Sequence, residues 1–247
     1  MARKLGKFEL LERLGGGGMA EVFRARLHGP QGFSKDIALK LILPQFSDEP
    51  DFVKMFIHEA TVAAQLDHAS IVRIHEFDQI DGTYYIAMEL VDGKDLRSIS
   101  ARARSQDRPI KVAEALAIAL GVARGLAFAH AELTPGRDPI IHRDISPHNI
   151  VVSRAGEVKI TDFGIAKMAS TASLTRTGVI KGKASYMSPE QARGERVDPR
   201  SDIFSLGCVM WELLSGQRLF AGENDLAILE KLQHGAVESC RRYNPLV

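Results

Sequence analysis

Cysteine is nearly absent. Cys208 and Cys240 are the only two in 247 residues, so no disulfide framework staples the chain, and a reducing compartment is the expected setting. Charge of one sign is lacking as well. The 32 Lys+Arg stand against 31 Asp+Glu, a formal net charge of +1, which gives little support to a bare basic surface for nucleic acid. The N-terminal MARKLGKFEL holds no apolar run to act as a signal peptide. The most apolar segment, Val112 to His130, is Ala-rich and interrupted by Glu114 and Arg124, which suits a buried helix better than a membrane span. Internal repeats and low-complexity linkers are missing too. With 45% hydrophobic and 26% charged residues, the chain is neither disordered nor a membrane bundle. Its length allows one large domain or two small ones around a sizeable core. A soluble, cytoplasmic protein with no membrane segment is the expectation.

What is present changes character partway along. Phe8, Leu10 and Leu14 lead into the glycines 15 to 18, and Val22, Phe23 and Ala25 follow, a pattern for an antiparallel hairpin. Ile37 to Ile42, Val72 to Phe77 and Tyr84 to Met88 read as further strands. Between them Phe52, Met55, Phe56, Ile57, Ala60, Ala63 and Ala64 recur at helical spacing, which predicts one helix over Asp51 to Leu66. After Asp92-Gly93, long amphipathic segments dominate: Lys111 to Glu132, Ser201 to Leu214 and Asn224 to His234. The sequence thus describes a small, mostly β lobe and a larger α lobe hinged near Glu89 to Asp92. A crevice between lobes is a usual place for a ligand.

Several segments carry chemistry. Glycines after a strand let backbone amides approach phosphate oxygens without a side-chain clash; a plain tight hairpin uses the same residues. Lys40 lies within an apolar strand, where an inward-facing ammonium needs an anionic partner because an unpaired buried charge is costly. Glu59, nineteen residues on, could supply it, or could be an ordinary surface charge. In I141-HRDISPHN-I150, Asp144 and Asn149 flank a Pro-containing loop, and D162-FG follows a second short strand, Val158 to Thr161. Two carboxylates and an amide on neighbouring loops suit a divalent cation with oxygen ligands. Like charges ~4 Å apart repel by roughly 4 kcal/mol at an effective dielectric near 20, so carboxylates facing a polyphosphate call for a metal between them.

Read in order, G15-x-G17-x-x-A20-x-V22, I37-A-L-K40, Glu59, H142-R-D144-x-x-x-x-N149, D162-F-G164, S188-P-E190 and D202-I-F-S-L-G207 resemble the protein kinase signature set. The wording HRDISPHN and YMSPEQ is most similar to bacterial Ser/Thr kinases of eukaryotic (Hanks) type. The resemblance covers residues 8–247. It implies an α+β, bilobal kinase-like fold with a β-rich N-lobe holding one helix (about 1–91) and a helical C-lobe (about 92–247), the family's last helices being missing. It also implies transfer of phosphate from ATP to Ser/Thr hydroxyls of proteins, with Mg2+ or Mn2+, and autophosphorylation. A catalytically weak, nucleotide-binding pseudokinase scaffold is the alternative that the missing helices suggest.

Carried over by position, Leu14, Gly15, Gly16, Gly17, Gly18, Met19, Ala20 and Val22 would cover the ATP phosphates. Lys40 would hold the α/β-phosphates and pair with Glu59. Asp162 and Asn149 would bind the metal, and Asp144 would orient the acceptor hydroxyl and take its proton. Glu89 and Val91 would offer backbone groups to adenine beside Met88, with Val22, Ala38 and Val151 sandwiching the base. Ala63, Ile74, His142 and Phe163 would stack into a spine anchored by Asp202.

The chain also departs from the pattern. Ala20 stands for the third glycine of the loop. Ser146 replaces the usual lysine two residues after Asp144, while Lys183 takes the place of a threonine before Tyr186; the expectation is that lysine and hydroxyl have exchanged places. With the later helices missing, Glu190 is expected to lack its arginine and stand unpaired. Residues 165–187 hold four basic and no acidic side chains together with Thr171, Ser173, Thr175 and Thr177. These, Thr175 and Thr177 first, are the expected phosphosites, and Arg143 is their receptor.

Overall fold

Strand-forming residues between short Gly-containing turns build the first part of the chain as a sheet. In the computed structural model, which describes residues 3–16, 19–131, 138–163 and 184–247, that sheet has six antiparallel strands in the order β1-β2-β3-β4-β6-β5. They are β1 (Arg3–Leu5), β2 (Phe8–Gly16), β3 (Ala20–His28), β4 (Ser34–Ile42), β5 (Ile74–Ile80) and β6 (Thr83–Met88). The β5–β6 turn is Asp81-Gly82, with φ of 48° and 77°, the paired positive angles for which a two-residue hairpin selects Asp-Gly. One sheet face buries Phe8, Leu10, Ala25, Leu39 and Tyr85 together. The other carries Ala20, Ile42 and Ile86 against Phe56 and Ala60 of α2 (Pro50–Ala63), which follows the single turn α1 (Pro44–Ser47). Pro50 at the first helical position starts α2 without losing a hydrogen bond. Residues 1–67 and 72–91 form this unit.

The second unit comprises residues 68–71 and 92–247. A three-stranded sheet, β7 (Gly93–Asp95), β8 (Ile150–Ser153) and β9 (Val158–Ile160), accompanies helices α3 (Leu96–Ser105), α4 (Val112–His130), α5 (Pro189–Ala192), α6 (Pro199–Ser215) and α7 (Asp225–His234). Side chains cap these helices. Asp95 accepts from Ser98 N at 2.9 Å, Asp198 from Arg200 N at 2.8 Å and Asn224 from Ala227 N at 2.9 Å, each satisfying one orphan donor. Gly216, at φ 73°, ends α6 in the left-handed region. α4 packs on α6 and β9. Gly121 and Gly125 permit the close approach, because a Cβ there would meet Val158 and Ile160 side chains at 2.6 and 2.9 Å. Only one face of α4 is buried: Ala115, Ile118, Val122, Leu126 and Ala129 point inward, while Leu116 and Leu120 are half-exposed. The helix expected to be buried is therefore buried along one stripe. The strand expected from Val72 begins at Ile74 instead, because Ile71 forms a parallel bridge with Ile160 in the second unit.

Candidate active site

In the first unit the site begins with strand register. Lys40 on β4 stands opposite Val22 on β3 and Ile86 on β6, and Ala38 stands opposite Met88. Directly opposed residues share a face, so Val22, Ala38, Lys40 and Met88 line one side of the sheet, the side that α2 covers. Lys40 and Glu59 are both buried, and Lys40 Nζ donates to Glu59 Oε1 at 2.6 Å. The expected pair is thus brought together. Ala20 is buried at the start of β3 and is not among the positive-φ residues. The position needs none of glycine's freedom, and alanine is unstrained there. Gly15 is informative in another way: its φ is not left-handed and a Cβ would touch nothing within 4 Å. Neither strain nor crowding inside the chain demands glycine there. Leu14 is half-exposed beside it. Glu89 donates its N–H to the Arg73 carbonyl at 2.9 Å, and Val91 follows as partly exposed loop.

In the second unit everything hangs on Asp202, fully buried in the first turn of α6. Its carboxylate accepts from the backbone N–H of His142 at 2.8 Å, from that of Arg143 at 2.7 Å, and from His130 Nε2 at 2.7 Å. Two of these donors are the N–H groups of His142 and of Arg143 itself, and they hold Arg143 at φ 69°, a conformation few non-glycine residues adopt. The His142 ring is oriented from both ends. The Thr161 carbonyl, 2.8 Å from Nε2, can only accept, and the Asp144 N–H, 3.2 Å from Nδ1, can only donate. The ring is therefore the neutral Nε2–H tautomer. Phe163 packs its edge against it at 4.5 Å.

Asn149 then fixes Asp144. Its Nδ2 donates to the Asp144 carbonyl and to Oδ2, both at 2.9 Å, while its own backbone carbonyl accepts from Thr161 N at 2.9 Å. The 142–149 loop is in this way tied to the end of β9, next to Asp162. Asp162 has φ 62°, a second non-glycine residue in the left-handed region at the same site. Val151 lies on β8, paired with Lys159 and Asp95. Ser146 is buried, and its hydroxyl has no partner among the described residues. The expected partner Lys183, the phosphosites Thr171, Ser173, Thr175 and Thr177, and Gly17 and Gly18 lie outside the described residues.

Glu190 requires a correction. It is not unpaired: its Oε1 accepts a hydrogen bond from Ser201 Oγ. Burial works against its charge, but the bonds from Ser201, its own backbone and Ser188 prevail and hold it below the usual carboxylate range. A serine in the first turn of α6 supplies what a distant arginine was expected to supply. Sequence reasoning also missed His130, the third donor to Asp202, since nothing in the spacing of His130 and His142 announces a shared acceptor. It missed Tyr186 as well, whose Oη donates to buried Glu212 at 2.5 Å while Ser205 holds its carbonyl at 2.7 Å. Gln191 Nε2 ties α5 to the catalytic loop by donating to the Arg143 carbonyl at 2.8 Å.

The first unit thus holds a buried lysine–glutamate pair, and the second an aspartate clamped by an asparagine on a loop hung from a helix. Residues 8–244 match the family described as Protein kinase domain, and the chain belongs to that family. Over 242 residues, 97% of this chain and 38% of the relative, it is 44% identical to Tyrosine-protein kinase MasK of Myxococcus xanthus. It is 37% identical to Serine/threonine-protein kinase PrkC of Bacillus subtilis over 98% of this chain and 35% of that protein. Against Serine/threonine-protein kinase PknB of Mycobacterium leprae the identity is 39%, over 90% of the chain and 34% of the relative. The chain spans little more than a third of the length of these relatives.

Proposed function

We propose that this chain is a catalytic domain that transfers the γ-phosphoryl group of ATP to serine and threonine hydroxyls of proteins. The observation that carries the reading is the clamped catalytic loop: Asn149 holds Asp144 by two hydrogen bonds on a segment suspended from Asp202. Such pre-orientation is what a general base or hydroxyl-positioning carboxylate needs. Members of the family use ATP with a divalent cation, and the residues present fit both. The Asn149 amide turns its nitrogen to Asp144, so its oxygen is the end that accepts, and with the Asp162 carboxylate it makes a hard oxygen set of the kind Mg2+ or Mn2+ prefers. The openness above Gly15 suits a phosphate chain lying close to backbone. The metal and ATP supply charge neutralisation and the phosphoryl group. Lys40, kept in place by Glu59, would steady the phosphates, and Asp144 would orient the acceptor hydroxyl and take its proton. The domain we propose runs over 8–247, with lobes dividing near Val91.

Two finer assignments belong to this reading. Arg143 is half-buried, burial pulls its pKa down with only partial relief from Asp202, and its guanidinium pairs with no described residue. An under-compensated arginine of this kind favours a phosphate, which supports autophosphorylation at Thr175 or Thr177, with Thr171 and Ser173 next. The unpartnered Ser146 hydroxyl supports the exchange in which Lys183 takes over the lysine role beside Asp144. The relative named as a tyrosine kinase gives tyrosine as the competing acceptor. Incubation with labelled ATP and Mg2+, beside the Asp144→Asn and Lys183→Ala variants, followed by phosphoamino-acid analysis and site mapping, tests all three. Phosphoserine and phosphothreonine should fall about 10²–10⁴-fold in Asp144→Asn. Phosphotyrosine alone would reassign the acceptor, and equal labelling in all three proteins would end the proposal.

A further inference from the structure

α3 carries Arg97, Arg102 and Arg104, and its N-terminal end lies beside the 142–149 loop. Arg97, in its first turn, donates its backbone N–H to the Pro147 carbonyl at 3.0 Å and places Nη1 2.6 Å from His148 Nε2. Guanidinium only donates, so this nitrogen of His148 is the accepting one, and the contact compensates none of the arginine's charge. Both side chains are exposed, and Pro147 and His148 lie three and four residues past Asp144. In the last turn of α3, Arg104 approaches buried Glu212 at 3.6 Å. Arg218, exposed just past α6, and Arg97 both stand within electrostatic reach of Tyr186, which sits on Glu212.

The acids of this surface are already engaged. Glu212 is buried under Tyr186 and Arg104. Asp95 turns its carboxylate onto Ser98, bonding both N and Oγ, at 2.9 and 2.6 Å. Neither Arg97 nor Arg218 has an acidic partner among the described residues. The surface next to the proposed phosphoryl acceptor is therefore cationic although the chain as a whole is close to neutral. Exposed guanidinium groups with no internal anion favour bidentate pairing with carboxylates and repel cationic segments.

We propose that Arg97 and Arg218 select protein substrates whose target hydroxyl is flanked by aspartate or glutamate. The inference rests on the kinase reading for its substrate, but its test does not depend on turnover. Fluorescent serine peptides, identical except for flanks of Asp/Glu, phosphoserine, Ala or Lys/Arg, are titrated with the protein by anisotropy, with phosphorylation from Mg-ATP followed in parallel. The acidic peptide should bind at least about 10-fold tighter than the basic one, and the gap should shrink with added salt. The Arg97→Glu/Arg218→Glu variant should reverse the order; the milder Arg97→Gln/Arg218→Gln variant should level it. Equal binding of acidic and basic peptides, or an order unchanged in both variants, overturns the proposal. So does binding of the phosphoserine peptide without the Asp/Glu one. Acidic preference without any phosphate transfer would leave this surface standing and remove the kinase reading; transfer without a flank preference would do the reverse.

Discussion

Glu59 in the first unit and Asp202 in the second are both buried carboxylates, and the two are compensated differently. Glu59 lies on the buried side of α2, against an apolar sheet face, and is met by the ammonium of Lys40 at 2.6 Å. Asp202 is met by two backbone N–H groups and one imidazole. An ion pair in an apolar setting gains little net stability, since desolvating both partners roughly cancels their attraction. Its presence in the first unit therefore argues for a function of Lys40. Backbone donors have no alternative partner in a buried loop, so Asp202 is structural in the strict sense: it holds Arg143 at φ 69° and sets the position of Asp144. One unit answers its buried charge with an opposite charge; the other uses a charge to fix a chain path.

The largest effect should come from breaking the second arrangement. Asp202→Ala orphans three donors at roughly 1–3 kcal/mol each, so urea denaturation should show a loss of about 5 kcal/mol, and transfer activity should vanish with it. No second substitution replaces a carboxylate that serves two backbone groups. A loss under about 1 kcal/mol would show that the loop is held by something else. Next is Lys40→Met, which leaves Glu59 buried without its lysine and should cost about 3 kcal/mol. Here the comparison predicts a rescue. Lys40→Met/Glu59→Leu should regain most of that stability, because apolar residues of similar volume replace a buried pair at little cost, while activity stays lost. If the double variant is no more stable than the single one, the pair is as structural as Asp202 and the contrast between units disappears.

The elements the sequence announced are those with strong periodicity or turn chemistry. The 8–28 hairpin, the Lys40 strand, the Phe52–Ala63 helix stripe and the Ser201–Leu214 run all lie where their patterns place them. The 142–149 loop was legible because its H-R-D-x-x-x-x-N spacing resembles the kinase signature, and the structure does bond Asn149 to Asp144. α3 was not. Its LRSISARARS sequence buries only Leu96 and Ser100, so the apolar stripe that betrays a helix is missing, and its cap, Asp95, reads as one more loop acid. The three-residue strands β1 and β7 are too short to carry a period. Glu190 went astray for a different reason: its partner Ser201 is eleven residues away and neutral, and reasoning from charge searches for an arginine. The links that position the site through His130, Gln191 and Tyr186 join residues 26 to 72 apart, with no local signal at either end.

A smaller effect sharpens the comparison at the level of single hydroxyls. Tyr85 in the first unit donates to Glu76 Oε1 at 2.8 Å, and Tyr186 in the second to Glu212 Oε2. Burial first, then the neighbouring carboxylate, pushes both phenols well above their ordinary value of 10.0. The sign follows directly. Below pH 10 the phenols are protonated in folded and unfolded chains alike; above it the unfolded chain ionises and the folded one does not, so stability falls as pH rises. Tyr186→Phe should cost about 1 kcal/mol at neutral pH and flatten the loss of melting temperature between roughly pH 9 and 11, and Tyr85→Phe should do the same for the sheet unit. Lysines titrate in that range too, but equally in all variants, so the difference isolates the phenols. Since Glu76 keeps Lys7 at 2.7 Å when Tyr85 is trimmed, whereas the more buried Glu212 keeps Arg104 at 3.6 Å, the neutral-pH cost should be smaller for Tyr85. Parallel alkaline decline in wild type and both variants would mean that neither phenol resists ionisation in the folded chain.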